Sequence, residues 1–63
     1  MGKNAILVKK GERIIFKSMA DNKEKVGKLL TNLTVFGAPV SVEGEDKPEY
    51  VTMDNFIREK EKD

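Results

Sequence analysis

The side chains able to do chemistry are two serines, three threonines, one tyrosine, eleven carboxylates and twelve Lys or Arg, with no His and no Cys. Without imidazole, the commonest general base near neutral pH and the commonest metal ligand are both missing. Without thiols there is no disulfide, thiolate nucleophile, iron–sulfur cluster or zinc ribbon. Ser18, Ser41 and the threonines therefore have no imidazole to activate them, and Lys replaces one only when desolvated. Glu43, Glu45 and Asp46 around Gly44 are oxygen donors, but their spacing does not match a calcium loop and lacks its terminal bidentate Glu. They read as a solvated acidic turn. A phosphate-cradling glycine loop is also missing where a helix is expected to start, at Met19-Ala20-Asp21. The expectation is a protein that is not an enzyme and needs no metal or cofactor.

Charge is the first feature that points to binding. Residues 1–31 carry eight Lys or Arg against three acids, and residues 32–63 carry four against eight, so a net charge of +1 conceals a charge dipole along the chain. Lys9, Lys10, Arg13 and Lys17 can form a basic stripe suited to phosphates. An aromatic platform for single strands would need exposed rings, and of four aromatics Phe16, Phe36 and Phe56 read as core, leaving Tyr50.

These residues must be positioned by a very small domain. Sixty-three residues lie near the lower size limit for folding without help. Leu, Ile, Val and Phe make up about 27% of the chain, above the roughly 20% below which a charged chain tends to be disordered. A core is therefore expected, in a single domain spanning 1–63 with 58–63 frayed. The longest apolar runs are Ala5 to Val8 and Ile14 to Phe16, too short for a secretory or membrane segment. The chain reads as soluble and cytoplasmic, with no membrane contact.

Residues 5–18 read as a β-hairpin, because Ala5 to Val8 and Arg13 to Lys17 are rich in β-branched residues and flank Lys9-Lys10-Gly11-Glu12. The turn is either centred on Lys10-Gly11 or is a type I turn through Lys9 and Lys10 with Gly11 left-handed; the second is favoured. It places Ile6, Val8, Ile14 and Phe16 on one face and Leu7, Arg13, Ile15 and Lys17 on the other. Residues 21–33 read as a helix, since Val26, Leu29, Leu30 and Leu33 fall at i, i+3, i+4 and i+7 behind an Asp21/Glu24 capping box. Gly27 marks either a close approach of helix and sheet or a tolerated exposed position. A strand near 39–43, a loop over 43–48, a strand from Glu49 to Met53 and a short helix capped by Asp54-Asn55 complete the reading.

The predicted fold is a small α+β domain of order ββαββ, an antiparallel sheet packed on one amphipathic helix, with or without a short C-terminal helix. One helix covers one sheet face, so Leu7 and Ile15 need another cover. Either the C-terminal segment folds back with Phe56 and Ile57, or the face is an interface. The leading functional reading is a binding or regulatory protein that contacts another protein through Leu7 and Ile15. The alternatives are a nucleic-acid binder using Lys9, Lys10, Arg13 and Lys17, and a structural homo-oligomer.

Overall fold

The computed structural model describes residues 6–60, and within them every regular element is a strand. β1 is Arg13–Lys17, β2 Glu24–Leu29, β3 Ala38–Val42, β4 Glu49–Val51 and β5 Phe56–Glu59. They form one antiparallel sheet in the order β4-β3-β2-β1-β5, curled into a half-barrel. Successive strands are neighbours up to β4, whereas β5 returns beside β1 at the far edge. Only residues 52–55 join β4 to β5, so the two edges of the sheet must curl toward each other.

The fold class is therefore all-β, and the α+β expectation fails at residues 21–33. That stretch is a turn, then β2, then an irregular connection. Leu29 and Leu33 are buried as the helical stripe required, but Val26 is 37% and Leu30 41% exposed. Strand alternation accounts for the difference. On β2 the inward positions are Lys25, Gly27 and Leu29, and Gly27 occupies a place where no side chain fits: a Cβ there would lie 2.5 Å from Val40 Cγ2 and 3.0 Å from the Ser41 carbonyl oxygen. A glycine at such a point lets neighbouring strands approach and the sheet bend.

The expected hairpin over 5–18 is also replaced. Residues 1–5 lie outside the described part, and Val8 bridges to Leu33 instead of pairing with β1. Gly11 is left-handed as expected, at φ 91°, but the turn is the alternative centred on Lys10-Gly11 and not the favoured one through Lys9 and Lys10, because the Glu12 amide donates to the Lys9 carbonyl at 3.2 Å. The face division of β1 also agrees: Ile14 and Phe16 are fully buried, while Arg13 and Lys17 face out. β3 and β4 match the expected strands near 39–43 and 49–53. In place of the short C-terminal helix, residues 52–55 form a turn that leads into β5, which takes in Arg58 and Glu59.

The core is the concave side: Val8, Ile14, Phe16, Leu29, Leu33, Ala38, Val40, Val42 and Val51, with Phe56 partly buried against it. Phe36, expected in this core, is 78% exposed on the Thr34–Gly37 turn.

Candidate functional site

The outer face of the sheet is built by strand register. Arg13 on β1 stands opposite Lys28 on β2, which stands opposite Ser41 on β3. Past the end of β5 the ladder continues, the Lys60 amide donating to the Arg13 carbonyl at 2.9 Å, so Lys60 faces Arg13 from the other side. Opposed residues share a face with Cβ atoms ~5 Å apart, and like charges placed this way are destabilising. Lys60, Arg13 and Lys28 are thus three cations in one cross-strand row. The next row is Arg58, Ile15 and Val26, and beyond it Lys17 faces Glu24.

Among the described residues no carboxylate reaches ion-pair distance of Arg13, Lys17, Lys28, Arg58 or Lys60; every ion pair there involves Lys25. Two acids belong to this region. One is Glu24, and the other is Glu43, which shares a shallow concavity with Arg13, Val26, Lys28 and Ser41.

A fourth row crosses the same face on the other side of the cation row. β2 runs out at Leu30, whose amide donates to the Pro39 carbonyl at 3.1 Å, and Pro39 is paired with Tyr50 on β4. Leu30 is 41% and Tyr50 50% exposed. The Tyr50 hydroxyl donates to the Phe36 carbonyl at 3.4 Å, placing the two exposed rings at the same corner.

The expected site residues are redistributed by this geometry. Arg13 and Lys17 lie on the outer face as anticipated. Lys9 and Lys10 stand on the turn ahead of β1, where the Lys10 amide donates to Asn32 Oδ1 at 2.7 Å. Lys28, Arg58 and Lys60 take their place in the basic surface, a set visible in sequence only once register is known. Leu7, 41% exposed, belongs to the segment bridged to Leu33 and lines a concavity with Ile6, Val8, Lys9, Glu12 and Glu59. Ile15 is half-buried between Val26 and Arg58. No hairpin face joins Leu7 to Ile15.

A second polar cluster closes one end of the half-barrel. Lys25 points inward along β2 and its ammonium meets Glu45 at 2.5 Å, Glu49 at 3.0 Å and Asp21 at 3.2 Å. Ser18, fully buried, donates to Glu49 Oε1 at 2.6 Å and accepts from the Ala20 amide at 3.1 Å. The Ser18 hydrogen bond holds the Glu49 carboxyl below its ordinary 4.5, and Lys25 acts in the same sense against the cost of burial. Glu45 and then Glu49 hold the Lys25 ammonium above its ordinary 10.5. Three of the chain's acids are consumed here as a staple between the β1–β2 turn, the β3–β4 loop and β4. Among the described residues no group of His, Cys, Asp or Glu is arranged to hold a metal ion, and no helix is long and apolar enough to cross a membrane. Comparison with known protein families, curated proteins and solved structures finds no match.

Proposed function

We propose that this chain is a non-enzymatic binding module whose outer sheet face takes the phosphate backbone of a nucleic acid. The observation that carries the proposal is the cross-strand row of Lys60, Arg13 and Lys28, three neighbouring cations unpaired among the described residues. Holding them together costs stability in the free protein, and an anionic ligand removes that cost. Arg58 and Lys17 widen the basic area, and Ser41 adds a hydroxyl donor at the end of the row. The staple around Lys25 supports the same reading, because it withdraws Asp21, Glu45 and Glu49 from this face.

A row of three strands is ~10 Å wide, and a nucleic-acid strand carries one charge per ~3.4 Å of axis, so two or three phosphates are contacted. Three contacts give a log–log salt slope of about −2 on a single strand, a ~20-fold loss of affinity between ~50 and ~200 mM salt. Fluorescence anisotropy with labelled oligonucleotides measures this. Arg13→Glu with Lys28→Glu is expected to abolish binding while leaving the fold intact, since both side chains are exposed. Absence of binding at low salt overturns the proposal. Light scattering on the free protein, and capture experiments insensitive to nuclease, would then assign the face to self-association or to a protein partner.

A further inference from the structure

We infer that the nucleic acid is taken as a single strand, with unpaired bases stacking on Tyr50 and Phe36. This rests on the phosphate-binding reading of the outer face and goes further by naming the form of the ligand.

The aromatic corner and the cation row belong to one surface. Lys28 is opposite Ser41, and two residues along the same strands Leu30 adjoins Pro39, which is opposite Tyr50. A two-residue step on a strand is ~7 Å, so a strand whose phosphates lie on Arg13 and Lys28 has its bases within reach of the apolar row. That row is a floor of Leu30 and Pro39 ending in a half-exposed tyrosine ring.

The Tyr50 ring and the Phe36 backbone are held in place by their surroundings. Tyr50 lies against Gly37, where a Cβ would come within 2.9 Å of Tyr50 Cε2 and 2.6 Å of the Val51 carbonyl oxygen. Gly37 also has φ 91°, closing the turn that carries Phe36, with its own amide donating to the Thr34 carbonyl at 2.9 Å. The Phe36 amide donates to Thr34 Oγ1 at 3.2 Å, and the Tyr50 hydroxyl bonds the Phe36 carbonyl. Phe36 is fixed in backbone yet 78% exposed. In a chain with only four aromatic residues, two have been left outside the core at one corner. Exposed aromatic rings beside cations are the platform on which unpaired bases stack without regard to sequence. A duplex offers its phosphates to the same cations but keeps its base faces covered, so it gains nothing from the rings.

Tyr50 is the only tyrosine and there is no Trp, so the protein's tyrosine emission reports this ring alone. The experiment titrates the full chain with a short thymidylate single strand, and separately with a duplex of equal length, at low salt. Tyr50 emission is expected to be quenched by the single strand and left nearly unchanged by the duplex. Phe36→Ala and Tyr50→Ala are each expected to weaken single-strand binding by about tenfold, within the range seen for stacked bases, without altering the salt slope. Tyr50→Phe should retain affinity, and Phe36→Ala, at a surface position, keeps the test valid should Tyr50→Ala unfold. If Phe36→Ala binds like the parent, the duplex is bound as tightly as the strand and Tyr50 emission does not change, the stacking inference is overturned. The phosphate reading survives that result provided Arg13→Glu with Lys28→Glu still loses binding. Binding of neither strand nor duplex overturns both.

Discussion

Gly27 sits where β2 passes between β1 and β3, and the nearest atoms leave no volume for a methyl group. The obstruction is Val40 Cγ2 at 2.5 Å and a backbone oxygen at 3.0 Å, with Phe16 Cε1 at 3.4 Å. The valine methyl can yield by a rotamer change, but the strand behind it cannot without distorting the ladder. Gly27→Ala is expected to cost ~1–3 kcal/mol, the usual range for overpacking, read as a lower denaturant midpoint. The charge cluster at the other end of β2 predicts a pH profile. Glu49 titrates below its ordinary 4.5 in the folded protein, so its contribution is complete above the unfolded value and is lost as pH falls through the lowered one. Lys25 titrates above its ordinary 10.5, so its contribution is complete below that value and fades only in strong base. Stability is therefore expected to be flat through neutrality and to fall in acid below the ordinary carboxylate range. Glu49→Gln should lower the plateau and flatten the acid limb; an unaltered acid limb in thermal melts at several pH values would show that the staple contributes nothing.

At the scale of elements, β2 was hidden because two of its three inward positions are Lys25 and Gly27. Strand alternation is recognised by apolar residues at every second place, and here only Leu29 supplies one. Val26, Leu29, Leu30 and Leu33 meanwhile satisfy a helical period, although only Leu29 and Leu33 are buried. β1 and β3 were legible because Ile14 and Phe16, and Ala38, Val40 and Val42, do alternate with exposed or half-exposed neighbours. β5 was not. Its register slips between Ile15 and Phe16 of β1, making Ile57 the extra residue of a bulge, and the two residues after it, Arg58 and Glu59, are charged. The basic surface shared this fate, since Lys28, Arg58 and Lys60 join Arg13 only through pairings of β1 with β2 and β5. The two adjacent leucines discriminate between the folds. Leu29, 1% exposed, is expected to cost ~2–5 kcal/mol when replaced by Ala, whereas Leu30→Ala at a 41% exposed position should shift the midpoint only slightly. A helix would bury both. Comparable losses at Leu29 and Leu30, or a helical circular dichroism spectrum, would contradict the all-strand order.

At the scale of the molecule, the edges of the sheet are managed without full closure. β4 is only three residues long and preceded by Pro48, while β5 carries a bulge and charged residues, all features that discourage pairing with another chain. What holds the curl is the connection between these edges, and Asn55 is its anchor. Its Oδ1 accepts from the Thr52 amide at 2.6 Å and from the Thr52 hydroxyl at 3.1 Å, while its Nδ2 donates to the Lys17 carbonyl at 2.9 Å. Its backbone carbonyl also accepts from the Lys17 amide at 2.8 Å, so one residue fixes the end of β1 from both sides of its peptide. Asn55 is 9% exposed, and removing the side chain leaves partly buried backbone groups unpaired, each costing ~1–3 kcal/mol. In a domain of this size ~1 kcal/mol moves the thermal midpoint by ~4–8 °C, so Asn55→Ala should lower it by ~10 °C or more. Asn55→Asp retains the acceptor for Thr52 but loses the donor to Lys17 and buries a charge, and is expected to be no better than Ala. Asp54→Ala, next in sequence but exposed, is the control. If Asn55→Ala melts with the parent while Asp54→Ala does too, the curl is held by apolar packing of Phe16, Val51 and Phe56 alone, and the 52–55 turn is a passive link between the two edges.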